Sequence, residues 1–96
     1  MKIVWSKKAN STFYHIQYYL EQYWTILITQ KFIKDTLHII TLLEKNPQLG
    51  KYNAELECRE LVISKQVKLY YEIKENDIIL ITFSNNRQKP IRFLNL

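Results

Sequence analysis

The sequence predicts an α+β domain: an N-terminal β-strand, an antiparallel helical hairpin, and a twisted antiparallel sheet of about four strands against which the hairpin packs. Three observations predict it. Apolar residues recur at helical spacing from Ala9 to Leu43, strict apolar/polar alternation takes over from Val67 to Ile73, and Asn46, Pro47 and Gly50 separate the two regimes.

Lys2 to Trp5 (KIVW) has strand character and ends at Ser6, whose hydroxyl suits a helix N-cap. Ala9, Phe13, Ile16, Leu20 and Tyr23 then share one stripe of a first helix that ends near Trp24. Thr25 caps a second helix, on which Ile28, Phe32, Ile39 and Leu43, flanked by Ile33, Leu37 and Ile40, form a broader apolar face. Asn46 and Pro47 stop it. So short a junction forces near-antiparallel packing of the two helices.

Gly50 and the polar residues through Glu57 read as a loop. Cys58 to Ser64 is a strand; Val67, Leu69, Tyr71 and Ile73 then alternate with Lys68, Tyr70, Glu72 and Lys74 in a strand with one face on a core and one toward solvent. Asp77 to Ser84 (DIILITFS) is dense enough in apolar residues for a central position. Connections of two or three residues make these three strands a meander, to whose edge the N-terminal strand can add. With Lys65 and Gln66 at a two-residue hairpin tip, Ser64 faces Val67, Ile63 faces Lys68, Leu61 faces Tyr70 and Arg59 faces Glu72. That register puts Arg59 and Lys68 together on the face away from the helices, where Arg59 and Glu72 can also serve as a simple cross-strand ion pair.

Ninety-six residues, 47% hydrophobic and 24% charged, fit one folded domain spanning 1–96. Fourteen Lys plus Arg against nine Asp plus Glu leave a formal charge of +5, which favours acidic partners. The distribution is uneven: no acid follows Asp77, whereas Arg87, Lys89 and Arg92 lie in the final ten residues. The lone Cys58 cannot close an intramolecular disulfide, and MKIVWSKK lacks the apolar run of a signal peptide, so a cytoplasmic setting is expected. The longest aliphatic run, Ile78 to Ile81, is far below the ~20 residues that span a bilayer.

Most active-site signatures are absent. A single Gly leaves no phosphate-cradling loop, and His15 and His38 lack the partners of a zinc site or a catalytic triad, so neither metal nor cofactor is expected. Cys58 reads as a small core residue. Of the seven tyrosines, Tyr14, Tyr18, Tyr19 and Tyr23 belong to the first helix and Tyr71 points to the core, leaving Tyr70 beside Lys68 on the open sheet face. Asn85 to Phe93 (NNRQKPIRF) is the remaining basic cluster, and an Arg at a strand end can bind a phosphate or stabilise charge developing on one.

Taken in order, the WS pair opening the first helix, LLEKNPQLG (Leu42 to Gly50), RELVISK (Arg59 to Lys65), KLYYEI (Lys68 to Ile73) and ITFSNNRQKP (Ile81 to Pro90) resemble the RelE/ParE superfamily of type II toxins, over nearly the whole chain. The resemblance implies a growth-arresting plasmid-stabilisation toxin held in check by a cognate antitoxin protein. It also implies one of two targets. RelE-like members cut messenger RNA in the ribosomal A site with a basic cluster and a tyrosine; ParE-like members lack that cluster and poison DNA gyrase.

Carried over residue by residue, Arg59 stands where the nucleases have a strand lysine, Lys68 at an arginine position, and Arg87 at the arginine after the last strand. These three are the catalytic candidates if the chain is a nuclease. Leu61 occupies a second lysine position and Phe93 the place of the C-terminal tyrosine, and neither can move a proton, a function typically worth ~100 to 10,000-fold in rate. The expected reading is therefore a gyrase poison, with a ribosome-dependent mRNA interferase as the alternative and an inert antitoxin-binding relative as a third. Tyr70, Lys89 and Arg92 are the candidate target- or nucleic-acid-binding residues. Tyr14, Tyr18 and Tyr19 on the first helix are the candidate antitoxin contacts. Neither a membrane nor a small-molecule substrate is expected as a partner.

Overall fold

A computed structural model describes residues 1–85. Strand β1 (Lys2–Trp5) leads into helices α1 (Lys7–Tyr23) and α2 (Ile26–Lys45), followed by strands β2 (Lys51–Asn53), β3 (Cys58–Val62), β4 (Val67–Lys74) and β5 (Asp77–Asn85). The helix limits follow from local chemistry. The Ser6 hydroxyl accepts from the Ala9 N–H at 2.9 Å, the Thr25 hydroxyl accepts from the Ile28 N–H at 3.2 Å, and Asn46 closes α2 by donating its N–H to the Leu42 carbonyl at 3.0 Å.

The sheet has five strands in the order β1-β5-β4-β3-β2, one more than expected, because Lys51–Asn53 in the supposed loop pairs antiparallel with β3. β1 does join an edge, but runs parallel to β5, with Ile3 opposite Ile78. The helices cover one face. Between the two layers lie Ala9, Ile16, Leu20, Phe32, Ile40, Leu43, Leu69, Tyr71, Ile78, Leu80 and Phe83, with Trp5, Phe13 and Phe83 ring against ring.

Three expectations are corrected inside this architecture. On α2 the buried positions are Thr29, Phe32, Thr36, Ile40 and Leu43, whereas Ile28 and Leu37 are exposed. Both threonines enter the core because each hydroxyl donates back to its own helix, Thr29 to the Thr25 carbonyl and Thr36 to the Phe32 carbonyl, which removes the penalty of a buried orphan. Tyr23 and Ile73, assigned to the core by periodicity, are exposed at the ends of their elements.

The third correction concerns register. The β3–β4 turn is closed by Ser64 and Val67 as expected, but the N–H groups of both Ile63 and Ser64 reach the Val67 carbonyl. Two residues thus oppose one, a β-bulge that slips the rest of the ladder by one position. Arg59 faces Tyr71, Leu61 faces Leu69 and Val62 faces Lys68. A one-residue slip moves every side chain of β3 to the other face, so Arg59 does not share a face with Lys68 and is not opposite Glu72. A second bulge lies in β5: Tyr70 faces Thr82 and Tyr71 faces Leu80, leaving Ile81 as the extra residue.

Candidate functional site

The β3 slip divides the basic residues between two surfaces. On the helix side, Arg59 sits in register with the buried Tyr71 and donates from Nη1 to the Gly50 carbonyl at 2.8 Å, its guanidinium 5.9 Å from the centre of the Tyr52 ring. The Tyr71 hydroxyl accepts from the Gly50 N–H and donates to the Pro47 carbonyl, both at 2.8 Å. Burial pushes the Tyr71 pKa up, opposed by the Gly50 hydrogen bond and the Arg59 charge. Arg59 therefore holds the segment joining α2 to β2. Leu61 packs on the core from the same face.

The outer sheet face carries Lys68 and Tyr70, as alternation predicted. Glu60 lies opposite Tyr70; its carboxylate is 3.6 Å from the Lys68 Nζ and accepts from the Asn53 side-chain amide at 3.2 Å. Lys68 is thus ion-paired with a neighbour on its own face. Leu56, Cys58, Tyr70, Ile81 and Thr82 line a shallow, mainly apolar depression beside it. Burial pushes the Cys58 thiol up, with the Glu60 and Glu72 charges acting in the same direction, which keeps it a thiol and a poor nucleophile.

Arg87, Lys89, Arg92 and Phe93 lie outside the described residues. Among the described residues, Arg59 and Lys68 are on opposite faces, and no group of three His, Cys, Asp or Glu side chains is placed to hold a metal. A phosphorane-stabilising cluster of Arg59 with Lys68 is not assembled here.

The α1 tyrosines also divide. Tyr14 and Tyr18 are exposed one turn apart on the same outward face, whereas Tyr19 is half-buried, packs on the core and meets the Tyr23 ring at a tilt with ring centres 4.9 Å apart. The sequence reading did not single out the turn of the hairpin, where Tyr23, Trp24, Ile26 and Leu27 are all about half or more exposed. A signal existed. Trp24, Ile26, Leu27 and Ile28 fall within five residues, more apolar side chains than one helical stripe can turn inward.

Residues 3–90 match the family described as the ParE toxin of type II toxin-antitoxin system, parDE. No curated protein matches the chain. Among solved structures the fold is similar to a chain of the chromosomal ParDE TA system from P. aeruginosa, with TM-score 0.75 and 16% identity over 88% of this chain and 95% of that one. A copper-bound mutant toxin from Helicobacter pylori gives 0.63 and 19% over 92% and 97%, and a YoeB/ParE toxin from Agrobacterium tumefaciens 0.61 and 13% over 88% and 98%. At such identities these structures speak to the fold alone; no helix among the described residues is long and apolar enough to cross a membrane.

Proposed function

We infer the function from one premise, that this chain belongs to the ParE toxin family of type II toxin-antitoxin systems: it arrests bacterial growth by engaging and poisoning DNA gyrase, and a cognate antitoxin protein neutralises it. The observation that carries the choice of target is the separation of Arg59 from Lys68. Cleavage of RNA through its 2'-hydroxyl needs a proton acceptor, a proton donor and converging cations. Here Arg59 is bonded to the Gly50 carbonyl behind the sheet, Lys68 is ion-paired with Glu60 in front of it, and Leu61 has no proton to exchange. That arrangement supports a binding protein over a nuclease.

The test pairs two assays on the full chain. Purified toxin added to gyrase and supercoiled DNA is expected to accumulate trapped double-strand breaks, and induction in cells to raise DNA-damage signalling. Codon-positioned cuts in translated messages, with no trapped breaks, would reverse the choice.

For neutralisation, the outward face of α1 bearing Tyr14 and Tyr18 suits an amphipathic antitoxin helix. Tyr18→Glu is expected to weaken antitoxin binding in a titration while leaving the melting temperature within about 4 °C, since surface substitutions usually stay within ~0.5 kcal/mol. Unchanged affinity removes this face from the antitoxin interface.

A further inference from the structure

We propose that the turn of the helical hairpin is the toxin's target-docking plug, built around Ile26 and Leu27 and fitting a concave apolar site on a protein. The proposal rests on the reading of the chain as a toxin that binds a large protein, and deepens it by naming the surface. Tyr23 is 64% exposed, Trp24 48%, Ile26 64% and Leu27 72%, with Ile28 at 38% beside them. They are consecutive apart from Thr25, whose hydroxyl is turned to the Ile28 N–H. From Gln22 to Lys34 there is no acidic residue.

Size decides between occupants. With aromatic side chains burying 150–250 Å² when covered, the exposed part of these five residues amounts to roughly 500–600 Å², the upper end of what a monomer shows and typical of a functional patch. A stable interface needs about 800 Å² from each partner: two copies meeting turn to turn bury only this patch and fall short, whereas a concave partner also covers the adjoining surfaces of α1 and α2. Charge decides against a lipid surface. The basic residues near the turn are Lys31 and Lys34, and Lys31 is paired with Asp35 at 2.6 Å. At about 1 kcal/mol per basic residue near an anionic bilayer, that leaves little attraction. An exposed helix turn with a Trp and a Tyr around two aliphatic side chains has the composition of an interface anchor, which gains most when a concave partner excludes water from all sides at once.

The experiment compares the full chain with Ile26→Ser/Leu27→Ser, and with Leu42→Ser as a control, an exposed apolar position about 22 Å further along α2 at 1.5 Å per residue. All three are expected to melt within a few degrees of one another, because the altered side chains lie outside the core. The turn variant is expected to lose growth arrest on induction, and to need on the order of 30-fold more protein to trap gyrase breaks, the effect of removing a strong anchor. The control is expected to behave as the parent. Arrest by a folded turn variant at parental level overturns the proposal, and arrest that co-expressed antitoxin no longer relieves reassigns the turn to the antitoxin. Co-sedimentation of the parent, but not the variant, with phosphatidylglycerol vesicles reassigns it to a membrane. Loss of arrest in the variant when the parent traps no gyrase breaks keeps the plug and discards gyrase as its target; equal trapping by both keeps gyrase and discards the plug.

Discussion

Gly50→Ala should lower the unfolding midpoint by more than about 10 °C, equivalent to ~3 kcal/mol for a domain of this size. The backbone at Gly50 is not in the left-handed region, so the reason is space. A Cβ there would meet the Tyr71 ring at 2.7 Å, its hydroxyl at 2.9 Å and the Glu60 carbonyl oxygen at 2.9 Å. None of these can withdraw cheaply: Tyr71 is fully buried with both hydroxyl bonds made, and the Glu60 carbonyl belongs to β3. Relief requires pulling the α2–β2 segment off the sheet, which also breaks the Arg59 bond to the Gly50 carbonyl.

Tyr71→Phe separates the two components of that effect. It keeps the ring and leaves the Gly50 N–H and Pro47 carbonyl without their partner, a loss of ~1 to 3 kcal/mol. The pKa of Tyr71 is raised in the folded chain relative to its ordinary value of 10.0. The stability linked to its proton is therefore fully present below pH 10 and falls as pH rises through the folded value, because the unfolded chain releases the proton first. Thermal melts from pH 9 to 11 should show a steeper decline for the parent than for Tyr71→Phe. Equal slopes would mean that the hydroxyl is not held as described, and a Gly50→Ala chain melting with the parent would remove the close approach altogether.

The interlock around Gly50 marks where reading the sequence stops. LLEKNPQLG was legible as a helix end followed by a sharp change of direction, because Asn46, Pro47 and Gly50 act locally. That Tyr71, twenty-one residues on, would bond to Gly50 depends on strand register. Register in turn hinged on the bulge at Ile63 and Ser64, which no glycine announces. From that point the expected position of Arg59 was reversed, while Lys68 and Tyr70, placed by alternation within their own strand, stood where they were expected. The same division holds on α2. Its capping by Thr25 and Asn46 was legible, but its core stripe uses Thr29 and Thr36, whose back-bonded hydroxyls let them displace the more apolar Ile28 and Leu37. The hairpin turn was overlooked for a related reason: exposed apolar residues are misfits to a folding pattern, and acquire meaning only once the core is known to be complete without them.

Thr12→Val should destabilise the chain by ~2 kcal/mol, and Thr12→Ser by much less, although valine is the closer match to threonine in shape and the more apolar. The difference arises at the second bulge. β5 pairs with β1 only from Asp77 to Leu80, after which β1 ends and the chain turns into α1. Beyond Leu80 the β1-side edge of β5 would be left without partners, a costly state for buried backbone groups. α1 supplies them. Ser6 donates its N–H to the Leu80 carbonyl and its hydroxyl to the Ile81 carbonyl, and the Thr12 hydroxyl accepts the Phe83 N–H at 2.9 Å while donating to the Lys8 carbonyl at 2.8 Å. The helix thus takes over from the missing strand, and Phe83 is returned to the core against Trp5 and Phe13 in spite of the extra residue. Valine removes the acceptor while filling its place, so the Phe83 N–H loses its partner in a part-buried site; serine keeps it. Amide hydrogen exchange reads the contact directly: Phe83 should lose protection in Thr12→Val by roughly 30-fold at ~2 kcal/mol and retain most of it in Thr12→Ser. Equal protection in the two variants would show that the bulge is satisfied by something other than α1.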